Sequence, residues 1–249
     1  LVIKSVVPGP SGGSLTAYRI EQTGHDIALS ERFGGWYLTG SGDFTNHWGN
    51  LTGRLSPQGL STYPVLPGKR FDWARYPVAT SDLLAQMLHE HQAGFVNRVV
   101  EATYRTRAWL HSDNGALTPE HAVQLGSDAK SLTKYILFAN EAALPKGGVE
   151  GAKSFKEEFL QKRKAALNGA SLRDLELRTR LFKHRCSYMI YSAAFQGLPK
   201  PLKEAVYRSM SQALDPEGAQ ADFAYLPPTE KNLIRGILRE TVPEWPEKQ

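Results

Sequence analysis

Hydrophobic residues change their spacing near residue 80. From there onward they recur three and four positions apart, which is the spacing of one face of an α-helix. Thr80, Ser81 and Asp82 are of the types that cap a helix N-terminus. They therefore predict the start of a helix of about seven turns. The residues predicted for its buried face are Leu84, Met87, Leu88, His91, Phe95, Val99 and Ala102.

Several further helices are predicted in the same part of the chain. Thr118 precedes Pro119, a combination typical of a helix start. Ser171 with Asp174 resembles a capping box and predicts another helix directly after it. The other periodic stretches are residues 127–144, 151–166, 186–198, 200–214 and 229–241.

The N-terminal third, residues 1–78, is rich in glycine and proline and lacks a helical period. An apolar run at residues 1–7, followed by a proline- and glycine-rich turn, predicts a strand. Residues 57–78 contain four prolines and predict an extended segment. We expect this segment to be held on the core by Tyr63, Phe71, Trp73 and Tyr76.

The predicted fold class is therefore mainly α. A helical domain over residues 79–249 forms a bundle, and the irregular, slightly β segment 1–78 packs on it, so that both belong to one structural unit.

Composition and charge exclude several classes of protein. The chain of 249 residues is 41% hydrophobic and 22% charged, as in ordinary globular proteins. Its net charge of +5 is spread among acidic residues, so no nucleic-acid partner is expected. No run reaches the length of a membrane span. The first residue is Leu1, so we expect the gene product to begin before it.

The single cysteine, Cys186, excludes an intrachain disulfide. It lies at a predicted helix start, where a helix dipole could lower the pKa of a thiol. However, Tyr188, Met189 and Tyr191 surround it in the sequence and indicate packing. We therefore predict a buried structural thiol.

The run "HEHQA" at residues 89–93 is close to a zinc-protease motif. That motif needs a second histidine four positions after the first, and Ala93 stands there, so this class is excluded. His91 lies on the predicted buried face and has two interpretations. It is a core histidine bonded to a backbone carbonyl, or it is a metal or haem ligand or a buried proton acceptor. The pattern alone favours the first.

Residues 31–51, "ERFGGWYLTGSGDFTNHWGNL", combine glycines with aromatic side chains. This aromatic stretch, which includes Trp36, Tyr37 and Trp48, predicts either a lid over the helices or a wall for a bound molecule. His47 within this stretch is a candidate ligand, acid–base group or loop anchor. Its spacing in the sequence does not distinguish these three roles. No motif marks a dinucleotide site, a phosphate loop or a nucleophilic triad, so the sequence does not identify an enzyme.

Three segments resemble one family. Residues 31–50 are similar to a segment of the form "ERWGGWYVTGTHG…RHMGN" in that family. The "HEHQ" run is similar to a "LEHQ" run on one of the family's helices. Residues 181–214 and 223–246 are similar to the family's C-terminal helices. The family comprises exported bacterial proteins, mostly uncharacterised, that carry a c-type haem site. In it a Cys-x-x-Cys-His motif precedes the segment that matches Leu1, and this sequence has no such motif. Ser41 and Gly42 stand where the family has its first loop histidine.

The resemblance implies a periplasmic or otherwise exported redox protein or subunit, acting in electron transfer or small-molecule redox chemistry. Its haem c would be attached outside these residues, on a preceding segment or on a separate cytochrome chain, unless this homologue has lost the haem. His91 and His47 match family histidines. His91 is thus the candidate iron ligand or distal group, with His47 second, and Trp36, Tyr37 and Trp48 would line the haem pocket.

The alternative belongs to another class of protein. A non-catalytic structural or binding subunit of a larger complex could pack its aromatic N-terminal third on a partner chain. Tryptophan and tyrosine are favoured anchors at protein interfaces, so the same residues serve this hypothesis.

Overall fold

The computed structural model describes residues 5–20, 23–32, 37–40, 46–66, 68–69, 72–78, 80–218 and 220–246. Within these ranges the chain forms six α-helices and two small sheets, so the protein is mainly α, as the hydrophobic pattern predicts. The helices are α1 (Leu83–Ser112), α2 (Pro119–Ile136), α3 (Lys153–Gln161), α4 (Ala193–Gln196), α5 (Lys200–Ala213) and α6 (Pro228–Thr241). The strands are β1 (Ser5–Pro8), β2 (Ser14–Ile20), β3 (Leu51–Ser56) and β4 (Gly59–Pro64).

The chain divides into two compact units. The first, called the N-terminal unit, comprises Leu1–Gly94, Glu141–Glu158 and Glu176–Leu181. The second, called the C-terminal unit, comprises Phe95–Asn140, Phe159–Leu175 and Phe182–Gln249. The division of the sequence at residue 78 stays a prediction.

The long helix α1 begins where its capping residues predict. The Oδ1 atom of Asp82 accepts hydrogen bonds from the amides of Leu84, at 2.7 Å, and Ala85, at 3.4 Å. A side chain that accepts from the free amides of the first turn stabilises a helix start by about 1 kcal/mol. All seven residues of the predicted buried face are buried, which confirms the helical period found in the sequence.

The predicted end of the next helix was wrong. Thr118 caps α2 as expected, with its hydroxyl accepting from the amide of His121 at 3.3 Å. However, α2 ends at Ile136, eight residues before the predicted end. Phe138 and Asn140 have φ angles of 60°, in the left-handed region that stops a right-handed helix.

The helix predicted after Ser171 is absent. The amide of Ser171 donates to the carboxylate of Asp174 at 2.9 Å, as in a capping box. However, Leu177 takes a φ angle of 64°, and its amide donates to the carbonyl of Arg180 at 2.8 Å, so the chain reverses. Residues 186–198 likewise form a 3₁₀ turn, Tyr188–Tyr191, and the short helix α4 instead of one helix. Local hydrogen bonds of Ser and Asp support turns as well as helices, which explains both errors.

The strands of the N-terminal unit form two antiparallel hairpins, β1–β2 and β3–β4. The predicted strand in residues 1–7 is confirmed for its described part, residues 5–7. Residues 57–78 do not all pack inward as expected. The side chains of Tyr63 and Tyr76 are 50% and 56% exposed, and Phe71 lies outside the described residues. The end of β4 is exposed on both faces, since residues 61–64 are all exposed, and Tyr76 follows the 3₁₀ turn Trp73–Arg75.

The two hairpins meet at Gly53. A Cβ atom there would lie 2.5 Å from Cγ1 of Val7 and 2.9 Å from Cδ1 of Leu15. Both distances are too short for carbon atoms, so only glycine fits without displacement of these side chains.

Gly53→Ala is therefore expected to lower the free energy of unfolding by about 1–3 kcal/mol, the usual cost of overpacking. The matched control is Gly13→Ala, because a Cβ atom at Gly13 would meet nothing within 4 Å. Urea unfolding of both variants measures the difference. Equal losses at the two positions would contradict the close contact at Gly53.

The C-terminal unit contains a core of helices and aromatic rings. The rings of Phe138 and Phe159 both pack on Phe182, with centroid distances of 5.6 and 6.3 Å. Cys186 is completely buried and its thiol is unpaired, which confirms the predicted structural thiol. Burial raises the pKa of this thiol far above its ordinary value, so the thiolate does not form. Among the described residues, no helix has the length and apolar character needed to cross a membrane.

Candidate functional site

Two buried histidines of the N-terminal unit contact each other through their rings. The Nδ1 atoms of His25 and His91 are 2.9 Å apart, and neither side chain is more than 2% exposed. One Nδ1 must donate a proton and the other must accept it. In the neutral pair, the donating ring keeps an unprotonated Nε2, and the accepting ring carries its proton on Nε2. In either arrangement one Nε2 of the pair is unprotonated and the other carries a proton.

A fully buried carboxylate lies one residue before His91 on α1. The carboxylate of Glu90 accepts from Nε2 of Gln86 at 3.0 Å and from the guanidinium of Arg32 at 3.4 Å. Arg32 is also buried, with 3% of its side chain exposed. A buried charge is tolerated when an opposite charge and hydrogen bonds compensate its lost hydration. Glu90 and Arg32 thus form a buried ion pair without net charge.

Arg32 connects this ion pair to the histidine pair. Its guanidinium donates to the carbonyl of His25 at 3.1 Å and to that of Ile27 at 2.7 Å. The His25 carbonyl also accepts from the amide of Ala142 at 2.9 Å. These bonds hold the loop that carries the His25 ring, so the ring position depends on Arg32.

The geometry of His47 determines where its proton lies. Its Nδ1 accepts from the amide of Gly49 at 3.0 Å and caps the 3₁₀ turn Trp48–Asn50. Nδ1 is therefore unprotonated, and the proton of the neutral ring is on Nε2, 3.7 Å from Oε1 of Glu90. A metal ligand needs an unprotonated nitrogen directed at the metal. The His47 ring therefore lies beside Glu90, with its Nε2 proton on the side of the carboxylate but beyond hydrogen-bond distance.

These side chains form one network, which we call the histidine–carboxylate cluster. Its members are His25, Arg32, His47, Gln86, Glu90 and His91. The structure brings together both histidines that the sequence identified, and it adds four residues that the sequence analysis missed. Glu90 had a detectable signal, since it lies three positions after Met87 and seven after Leu83, on a buried face. His25 had no comparable signal.

A separate cavity of about 710 Å³ lies in the N-terminal unit. We call it the aromatic cavity, and its main apolar lining is Leu51, Tyr37, Val65, Trp73, Tyr76 and Val78. The rings of Tyr37 and Trp73 meet edge to face, with centroids 6.0 Å apart. Of the predicted wall residues, Tyr37 lines this cavity. Trp48 is not in its described lining, and Trp36 lies outside the described residues.

The described residues could hold a haem in two ways, by covalent attachment to cysteine or by ligation of the iron through histidine. Covalent attachment does not fit, because the only cysteine of the sequence, Cys186, is buried. The donor chemistry of His91 is compatible with a haem ligand, because ligand histidines typically hold Nδ1 in a hydrogen bond, as His91 does with His25. The ring of His91 is completely buried, so iron would reach Nε2 only after neighbouring groups had moved. The described residues hold no group of three or more histidine, cysteine or acidic side chains suited to a metal ion.

A second histidine–carboxylate pair lies in the C-terminal unit. Nδ1 of His121 is 2.7 Å from Asp113, and the His121 ring stacks on Trp109. The Thr118 amide and then His121 lower the pKa of Asp113 to about 2. Because the same carboxylate accepts from Thr118 at the start of α2, this pair closes the turn between two helices. It is a structural feature, and the candidate site remains the histidine–carboxylate cluster.

Comparison of the chain with models of protein families, with curated proteins and with solved structures found no match. The functional argument therefore depends on the geometry of the N-terminal unit and on the resemblance of its segments.

Proposed function

We propose that this protein is an exported, periplasmic bacterial redox protein or subunit that works next to a c-type haem. Its reaction is electron transfer or small-molecule redox chemistry. The haem is carried by a segment before Leu1 or by a separate cytochrome chain. The observation that supports this proposal is the buried His25–His91 pair, because His91 is a residue that the resemblance marks.

In this proposal His91 binds through Nε2. We assign the shared proton to Nδ1 of His91, so that Nδ1 of His25 accepts it and Nε2 of His91 is unprotonated. Haem supplies a reversible one-electron change at its iron. Because Nδ1 of His25 is then the acceptor of the shared bond, the proton of the neutral His25 ring is on Nε2.

The remaining members of the cluster position the pair. Arg32 holds the backbone of His25, and Glu90 neutralises Arg32. The Nε2 atom of His47 lies 3.7 Å from Oε1 of Glu90, too far for a hydrogen bond, so His47 packs beside the carboxylate without bonding to it. These groups keep both imidazole rings in place within a buried environment, where an altered orientation would change the basicity of the ligand.

A visible spectrum of the native preparation, oxidised and reduced, tests the proposal first. We expect the sharp reduced bands of a c-type haem, shifted by His91→Ala and by His91→Gln. The matched control is His89→Ala, on the same helix but on another face. It should leave the bands unchanged.

The possible failures are distinct. A featureless native spectrum would contradict the proposed function. If the native bands are normal and a folded His91 variant leaves them unchanged, only the assignment of His91 as a ligand would be contradicted, and the proposed function would stand. Circular dichroism identifies variants that remain folded.

A second candidate function is a non-catalytic binding subunit. The observation that favours it is a set of large apolar side chains of the N-terminal unit that are 47–64% exposed, namely Tyr63, Leu66, Tyr76 and Val78. Exposed apolar groups of this size are typical of interaction surfaces. A colourless protein that forms a defined complex, which Tyr63→Ser disrupts on gel filtration, would support this candidate over the first.

A further inference from the structure

The aromatic cavity differs from the histidine–carboxylate cluster in its chemistry. Its described lining contains no aspartate, glutamate, lysine, arginine or histidine. The polar side chains in it are hydroxyl groups, those of Ser11, Thr52, Thr80 and Ser81 besides the tyrosines. A charged molecule there would lose hydration without gaining a counter-ion, which is strongly unfavourable. The described part of the lining therefore favours an uncharged ligand.

The arrangement of the rings indicates the shape of that ligand. Tyr37 and Trp73 lie at 81° to each other, with centroids 6.0 Å apart. A flat ring can stack on one of these side chains and meet the other edge-on, and both are favourable aromatic geometries. An aliphatic chain would use neither preference. The two rings thus favour a planar aromatic or quinone-type molecule.

The size and the rim agree with a small molecule. A volume of about 710 Å³ lies within the range of roughly 300–1,000 Å³ that is usual for ligand sites. At the rim, Tyr76 and Val78 are 56% and 64% exposed, which leaves apolar area for a ligand to cover. Pro8, Pro10 and Pro77 also line the cavity and limit backbone motion there. A wall with restricted backbone motion loses little conformational entropy when a ligand binds.

We propose that the aromatic cavity binds an uncharged molecule built on a planar aromatic or quinone-type ring. A redox role for this molecule rests on the proposed function, whereas its binding does not. Quinone-type rings change their oxidation state, so such a ligand is the class of small redox partner that a haem-associated protein would use.

Fluorescence quenching tests the binding, because Trp73 is part of the wall. The probe is 2-(hydroxymethyl)anthraquinone, and its charged counterpart is anthraquinone-2-carboxylate. We expect saturable quenching by the neutral probe and about tenfold weaker binding of the carboxylate. Trp73→Phe should remove most of the quenching, and Trp109→Phe, in the C-terminal unit, should not.

Two matched substitutions locate the site. Val78→Asp places a charge at the rim and should weaken binding of the neutral probe about tenfold. Val123→Asp makes the same change at a position that is 71% exposed on α2, and it should have no effect. Both positions are exposed, so both variants should fold.

Several outcomes would overturn the inference: no saturable quenching, equal affinity for the two probes, or equal loss in the two valine variants. Failure of the neutral probe together with Val78-dependent binding of a proline-rich peptide would also overturn it, in favour of a peptide site. Neutral-probe binding by a preparation without haem bands would support the cavity and contradict the redox function. The two proposals therefore fail separately.

Discussion

Glu90→Ala is expected to lower the free energy of unfolding by about 3–5 kcal/mol, the largest effect of a single substitution in the cluster. Glu90 is completely buried and accepts from Arg32 and Gln86. Its removal leaves the Arg32 guanidinium as a buried charge without its counter-ion, which is the costly way to break a buried ion pair. Urea unfolding followed by circular dichroism measures the loss.

The matched control for this prediction is on the same helix. Glu101 pairs with Arg105 at 2.5 Å, but its side chain is 57% exposed, so Glu101→Ala should cost less than about 1 kcal/mol. The double variant Arg32→Met with Glu90→Ala should recover part of the loss, since it removes both charges. If Glu90→Ala cost no more than Glu101→Ala, the buried ion pair would be refuted.

Gly148→Ala is expected to have the second largest effect, a loss of roughly 3 kcal/mol or more. The residue has a φ angle of 80°, in the left-handed region, where a side chain costs about 1–2 kcal/mol. In addition, its Cβ atom would lie 2.2 Å from the carbonyl oxygen of Leu177 and 2.8 Å from Cα of Arg178. Both are backbone atoms, so relief of the contact requires the chain to move.

Gly147, next to Gly148, distinguishes the cost of the left-handed backbone conformation from the cost of the steric contact. Gly147 has a similar φ angle, 92°, but a Cβ atom there would meet nothing within 4 Å. Gly147→Ala should therefore show the conformational cost alone, about 1–2 kcal/mol. Thermal unfolding of the two variants gives the difference. Equal losses would mean that the Leu177 carbonyl is not close to Gly148.

The sequence predicted the parts of the fold that depend on local pattern. All seven residues predicted for the buried face of α1 are buried, because hydrophobic positions repeat there with the helical period over many turns. The helix after Ser171 was predicted wrongly because the same hydrogen bond to Asp174 supports a turn. The left-handed conformation of Leu177 distinguishes the observed turn from a helix, and no local sequence pattern predicts that conformation.

The site was predictable to a smaller extent. The sequence singled out His91 by its helical position, and His47 through the resemblance. The structure adds His25, whose ring contacts His91 across 66 positions of sequence. A contact between such distant residues depends on the path of the whole chain. Glu90 was overlooked because glutamate is rarely buried in proteins. Its position on the buried face of α1 is unusual for the same reason.

The order in which the chain passes through its two units restricts how the protein can be produced in parts. The backbone changes unit after residues 94, 140, 158, 175 and 181. No uninterrupted stretch of the gene therefore encodes either unit, and a gene product cut at any of these five positions would contain at least one incomplete unit. Expression of the N-terminal unit alone, with its histidine–carboxylate cluster, would need a redesigned chain in which new linkers join three separate segments.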